Sequence, residues 1–211
     1  MPTRSHPFIT GKAYHIYDKN LDAIRIFEDS ICCEVFLQAI EFYRFQVPVS
    51  LSAYRRFTKS EQLHLRKTYM QENKALISIH VFVLMPNHYH LLVRQKKDGA
   101  IVRYMSNVIN SITRYYNRRN VRKGPVFLPQ FNSVAILGTH QLMYVSKYIH
   151  LNPLKAKLVK NFDELIKWKY SSLPMYLGYE PKYFWVKPTY VMKIFRYSKK
   201  MYRRYLRGDK Y

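Results

Sequence analysis

Ile77-Ser78-Ile79-His80-Val81-Phe82-Val83-Leu84-Met85-Pro86-Asn87-His88-Tyr89-His90-Leu91-Leu92-Val93 is the stretch whose reading decides the fold. Ile77 to Met85 is rich in β-branched and aromatic residues and predicts a strand with at least one well-buried face. Pro86-Asn87 predicts a tight turn, because proline presets φ at the first central position and asparagine tolerates the second. His88 to Val93 is then the return strand of a hairpin. Alternate side chains of a strand share a face, so His88 and His90 project together and are candidate ligands of one divalent ion. The alternative is that one or both are ordinary residues at the edge of the core, and the spacing by itself does not decide between them.

Working outward, Gly11 to Tyr17 reads as a first strand ending at Asp18-Lys19-Asn20, and Ser30 to Phe45 as an amphipathic helix with Val35, Phe36, Ala39, Ile40 and Tyr43 at helical spacing. Residues 48–74 are polar and basic and read as an insertion, with Thr58 or Ser60 as N-cap of a short helix. Beyond the hairpin, Ile101, Met105, Val108, Ile109 and Ile112 form one stripe of a helix running to Arg119. Phe131 to Leu137 predicts a further strand, and a helix from Thr139 is expected to stop at Pro153. Strand, helix, strand, strand, helix, strand, helix is an order that suits a small antiparallel sheet with helices on one face, an α+β fold.

The chain has 211 residues, enough for one domain with an appendage or for two small ones. Its 36 Lys+Arg against 13 Asp+Glu leave a net charge of +23, which implies a polyanionic partner. Met1 to His6 carries no apolar signal core and no segment approaches a membrane-spanning run, so nucleic acid is favoured over a membrane and the cytoplasm is the expected compartment. The 20 tyrosines and 12 phenylalanines, interleaved with basic residues, suit stacking of unpaired bases, although most such rings serve the core. Cys32 and Cys33 are adjacent and offer neither a disulfide framework nor a cysteine zinc site. The basic, tyrosine-bearing segment from Lys193 to Tyr211 reads equally as a nucleic-acid arm or as a solvated helix.

In the last predicted helix Tyr148 and Asn152 are four residues apart and lie on one face. They either serve one site or act separately, Tyr148 in packing and Asn152 as a cap before proline. The two stretches Val83 to Val93 and Tyr148-Ile149-His150-Leu151-Asn152-Pro153, in this order and about 60 residues apart, resemble the single-tyrosine HUH transposases, most nearly the REP-associated tyrosine transposases. Supporting matches are Tyr14-His15-Ile16-Tyr17, Asn110-Ser111, Thr113 to Asn117, Gly124-Pro125 and Trp168 to Ser172, so that the resemblance runs over roughly residues 10 to 178.

The resemblance implies a ferredoxin-like, RRM-like α+β fold of the HUH-endonuclease type. It implies a catalytic domain over residues 1–178 and leaves 179–211 as a basic extension. It assigns His88, His90 and Asn152 to a Mg²⁺ or Mn²⁺ ion and Tyr148 to the nucleophile, with Tyr115 and Tyr116 as the competing tyrosines. It implies cleavage and rejoining of hairpin-forming single-stranded DNA through a 5′-phosphotyrosine, by a monomer or a homodimer. Phosphate contacts are expected from Arg114, Arg118, Arg119, Arg122 and Lys123. A free tyrosine has a pKa near 10, so about a thousandth is ionised at neutral pH and the reaction needs activation. The chain departs from the family at Ile112, usually tyrosine, at Phe127-Leu128-Pro129-Gln130-Phe131, usually Phe-Gln-Gly-Arg-Phe or similar, and at Asn20, often glycine. The replaced Leu128-Pro129-Gln130 segment keeps a rival reading open, a catalytically decayed nucleic-acid-binding protein of the same fold.

Overall fold

The computed structural model describes residues 7–21, 24–179 and 182–208. Met1–His6, read above for a signal sequence, and residues 209–211 of the basic segment lie outside it.

Four strands, β1 (Ala13–Lys19), β2 (Ile77–Met85), β3 (His88–Gln95) and β4 (Asn132–Ala135), form one antiparallel sheet in the order β2-β3-β1-β4. Helix α1 (Ser30–Phe42) links β1 to β2 by way of two short helices, α2 (Leu51–Tyr54) and α3 (Lys59–Tyr69), and α4 (Ala100–Arg119) links β3 to β4. Then follow α5 (Thr139–Lys155), α6 (Phe162–Ile166), α7 (Leu173–Leu177), α8 (Thr189–Met192) and α9 (Lys199–Arg207). This is the ferredoxin-like strand order that the family resemblance implies. Among the described residues no helix is long and apolar enough to cross a membrane.

The alternation of β3 builds two cores. Tyr89, Leu91 and Val93 join Tyr14 and Ile16 of β1 under the stripe Ile101, Met105, Val108 and Ile112 of α4 and the apolar side of α1. His88, His90 and Leu92 project to the other face. That face is covered too, where helices on one side were expected: Val81, Val83, Met85 and Leu92 pack against Leu142, Val145 and Ile149 of α5 and against α7 to α9. The residues of β2 are buried on both faces, which explains why Ile77 to Met85 is a near-continuous apolar run without strict alternation.

The hairpin turn at Pro86–Asn87 is pinned from outside: the backbone N–H of Asn20 donates to the Asn87 carbonyl at 2.8 Å and that of Phe27 to the Pro86 carbonyl at 3.0 Å. Of the two candidate caps, Thr58 is the one used, in a capping box with Glu61. α3 has no buried residue, in keeping with its polar sequence. The end of this region is nevertheless tied to the core, because Glu72 pairs at 2.5 Å with the buried guanidinium of Arg44.

Helix α5 does not end before Pro153 but continues to Lys155. Proline removes one backbone donor from the helix. Here the turn is closed around it, with Ala156 N–H donating to the Asn152 carbonyl and Leu158 N–H to that of Pro153, while the proline ring is buried. The C-terminal part of the chain is packed on the body of the protein and not simply solvated. Tyr183, Trp185 and Val186 enter the first core, and Tyr202 and Leu206 of α9 enter the second, with Lys199, Lys200, Arg204 and Arg207 turned outward.

Candidate metal and nucleophile site

β3 presents His88 and His90 on the α5 side of the sheet, and the antiparallel register with β1 sets Lys19 opposite His88 and Tyr17 opposite His90. His15, one pleat further along β1, reaches diagonally to His90, a contact this geometry allows for long side chains. Helix α5 crosses above them. Its face carrying Tyr148 and Asn152, one turn apart, is the face turned toward the imidazoles.

The four sequence-predicted residues come together. The Asn152 amide nitrogen lies 3.2 Å from His90 Nε2, and the Asn152 side chain also bonds His88. The two imidazole rings are 5.0 Å apart and mutually perpendicular. The Tyr148 ring stands edge-on to His90 at 5.4 Å and to His15 at 5.9 Å, half-buried, with the Lys155 ammonium 5.2 Å from its centroid.

The other ring nitrogens are already engaged. His88 Nδ1 is 2.8 Å from Asn87 Oδ1, which can only accept, so Nδ1 carries the hydrogen and Nε2 a lone pair. His90 Nδ1 is 2.9 Å from His15 Nε2. With Nδ1–H of His90 donating to His15, the lone pair of His90 Nε2 accepts from the Asn152 amide. His90 Nε2 is thereby turned toward Asn152, and a half-turn of that amide puts Oδ1 where Nδ2 stands. Two imidazole nitrogens and one amide oxygen form a neutral donor set that suits a divalent ion with open positions. Among the described residues no group of three His, Cys, Asp or Glu side chains could hold a metal, so an ion here would rely on the amide as its third donor.

Burial keeps the imidazoles neutral, the state in which they ligate. It pushes His15 down to about 4, and it pushes His90 to about 2 with further help from the neighbouring His15 and His88. His88 is lowered by burial against the opposing hydrogen bond from Asn152.

The competing tyrosines Tyr115 and Tyr116 belong to α4 and pack against the first core, on the opposite side of the sheet from His88 and His90. The five basic candidates separate. Arg119 is paired with Asp29 at 3.2 Å, Arg122 donates to Asn117 Oδ1 and the Gly124 carbonyl within the turn after α4, and Lys123 is exposed. Arg114 and Arg118 line a cavity of about 550 Å³ between α4 and the 43–55 segment, together with Arg55, Arg103, Asn107 and Asn110. Residues 103, 107, 110, 114 and 118 are the polar side of α4, and no carboxylate among the described residues pairs with Arg103, Arg114 or Arg118.

Sequence reasoning had not singled out His15, Asn87 and Lys155 as parts of the site. A signal existed for Asn87, adjacent to His88, and for Lys155, near one and two turns beyond Asn152 and Tyr148. His15 depended on knowing which strands pair.

Comparison with known proteins accords with this geometry. Residues 49–152, which include both histidines, Tyr148 and Asn152, match a family described as IS200-like transposase. A solved structure of a REP-associated tyrosine transposase bound to a REP hairpin has the same fold, with a TM-score of 0.54 at 16% identity over 90% of this chain and 94% of that one. No curated protein matches. Over residues 49–152 the sequence is thus that of an IS200-like transposase, and the fold is shared with a REP-associated tyrosine transposase.

Proposed function

We propose that the chain cleaves and rejoins single-stranded DNA with Tyr148 as nucleophile. The observation that carries this reading is the convergence of Tyr148, His88, His90 and Asn152 on one face of the sheet, from two separate segments of sequence. The phenolic oxygen forms a bond to a backbone phosphorus while the bond from that phosphorus to the 3′ oxygen breaks. The DNA 5′ end is left on the tyrosine and the other fragment ends in a 3′-hydroxyl. The phenol gives up one proton and the departing oxygen takes one, so the step is balanced without a co-reactant. Attack by a 3′-hydroxyl reverses it and joins strands.

His88, His90 and Asn152 would hold a Mg²⁺ or Mn²⁺ ion, which supplies Lewis-acid polarisation of the phosphate. The protein does the rest. His15 and Asn87 hold the two imidazoles in the ligating tautomer. Lys155, beside the Tyr148 ring, meets negative charge as it develops on the attacking oxygen. Exposed Tyr144, nearly parallel to Tyr148 at 6.5 Å, offers a face to an unpaired base. The cavity along α4 holds the phosphates of the same substrate on the other side of the sheet, with Arg103, Arg114 and Arg118 as the contacts. A folded single strand such as a hairpin, the ligand of the structurally similar transposase, fits these two separated demands.

The test is a denaturation-resistant adduct between the protein and labelled hairpin DNA in Mg²⁺ or Mn²⁺. Tyr148→Phe is expected to abolish it and to leave DNA binding intact. An adduct that survives Tyr148→Phe and disappears in Tyr115→Phe or Tyr116→Phe would move the nucleophile to α4 and overturn the reading.

A further inference from the structure

His150 lies between Tyr148 and Asn152 in sequence but on the other side of α5: at 100° per residue it is about 200° from each of them. It is wholly buried, and both ring nitrogens are bonded, Nδ1 to the Tyr202 hydroxyl at 2.7 Å and Nε2 to Ser172 Oγ at 2.8 Å. Ser172 is itself fixed to the sheet. Its Oγ accepts from the Phe82 N–H at 2.9 Å and donates to the Phe82 carbonyl at 3.2 Å, and its own N–H donates to that carbonyl at 3.0 Å. With the imidazole hydrogen on Nε2 every hydrogen has an acceptor: Tyr202 O–H to Nδ1, Nε2–H to Ser172 Oγ, Ser172 O–H to Phe82.

The sheet end of this network is next to the ligands. Phe82 pairs with Leu91, and the following residue, Val83, pairs with His90. The other end is Tyr202 on α9, wholly buried and packed on Tyr176, whose hydroxyl donates to the His80 carbonyl of β2 at 2.8 Å. Apolar contacts alone allow a helix to turn or slide slightly on a sheet; directional bonds on its rear side do not. A rotation of α5 that displaced Tyr148 and Asn152 would have to break them.

We propose that His150 is a positioning residue which, through Tyr202 and Ser172, sets the rotation of α5 against the strand pair carrying His88 and His90, and that the C-terminal helix α9 thereby supports catalysis from behind. The proposal rests on the assignment of Tyr148 and Asn152 made above. It gives the basic C-terminal segment a role independent of its charge.

Tyr202→Phe removes a single hydroxyl and keeps the ring. Hairpin DNA affinity should remain within about twofold, while the single-turnover rate of adduct formation falls about tenfold or more, the usual consequence of a small misplacement of reacting groups. His150→Leu should lose more than Tyr202→Phe, and His150→Gln, which keeps a donor toward Ser172, should recover part of the loss. Amide hydrogen exchange across residues 146–152 should rise about tenfold in Tyr202→Phe with α4 unchanged, as expected of a local opening. If His150→Leu fails to fold, Tyr202→Phe decides. A folded Tyr202→Phe with unaltered adduct rate, or with unaltered exchange in α5, overturns the proposal. If the wild-type protein forms no adduct, the nucleophile assignment fails instead, and exchange confined to α5 then decides for or against the lock on its own.

Discussion

Replacing His15 by leucine tests whether the site is a metal centre or a set of packed rings. His15 Nε2, 2.9 Å from His90 Nδ1, is the contact that turns His90 Nε2 toward Asn152. Leucine fills similar space and accepts no hydrogen bond. His90 Nδ1–H would then be left without a partner in a site where His90 is 4% exposed, which costs about 1–3 kcal/mol of stability. The imidazole could regain a partner only by turning over or by moving its hydrogen to Nε2 toward Asn152, and either change takes the Nε2 lone pair out of the site. Loss of the outer partner of a ligating histidine lowers metal affinity by about 10–100-fold. His15→Gln, which retains a polar group in reach, should lose less. Mn²⁺ titration followed by electron paramagnetic resonance measures the affinity directly, with thermal melts alongside to score folding. His88→Ala should lose Mn²⁺ binding outright, and Tyr148→Phe should leave it unchanged. A folded His15→Leu protein that binds Mn²⁺ within twofold of wild type would refute the claim that β1 orients His90 for a metal.

Three further outcomes follow from other parts of the molecule. Changing Arg103, Arg114 and Arg118 together to alanine should lower the dependence of log affinity for single-stranded DNA on log salt by about 2, at roughly 0.7 per lost phosphate contact; an unchanged slope would remove the α4 cavity from the DNA path. Glu72→Ala leaves the buried Arg44 guanidinium without its carboxylate and should cost about 3 kcal/mol in urea denaturation, far more than an exposed ion pair is worth. Acidification should destabilise the metal-free protein. Burial holds His15 and His80 near 4, His150 near 3 and His90 near 2, so the unfolded chain binds more protons than the folded one below about 6.5, and this part of the stability, complete above that pH, is lost as pH falls toward 4. Asp18, raised to about 7 by burial, acts in the opposite sense, gaining stability as pH falls from 7 toward 4, and the net loss between pH 7 and 5.5 should be about 3 kcal/mol. A flat or rising melting temperature over that range would show that these imidazoles are not held neutral.

The hairpin, the order of elements and the α4 stripe were legible because each rests on a local period: two in β3, 3.6 in α4, with Pro86-Asn87 as punctuation. The convergence of His88, His90, Tyr148 and Asn152 was legible only through the family resemblance, since nothing local to either stretch says that α5 crosses the histidine face. Pro153 misled for a physical reason, because the loss of one backbone donor is tolerated where the ring is buried and the following turn still closes. His15 was hidden for another: the diagonal contact exists only once β1 pairs with β3 in one register, and Tyr14-His15-Ile16-Tyr17 reads as an ordinary strand by itself. The C-terminal segment was obscured by its charge. In Lys199 to Arg207 the two buried positions, Tyr202 and Leu206, are four apart among basic neighbours, enough to make a packed side and too few to announce it.

The arginine-lined cavity and the tyrosine occupy opposite sides of one four-stranded sheet. A nucleic acid strand engaged at both must travel around a margin of the sheet, past a helical layer that is itself about 10 Å thick. The distance along the strand between the gripped phosphates and the bond that is cut then has a lower limit imposed by the girth of the protein, a ruler that works without reading any base.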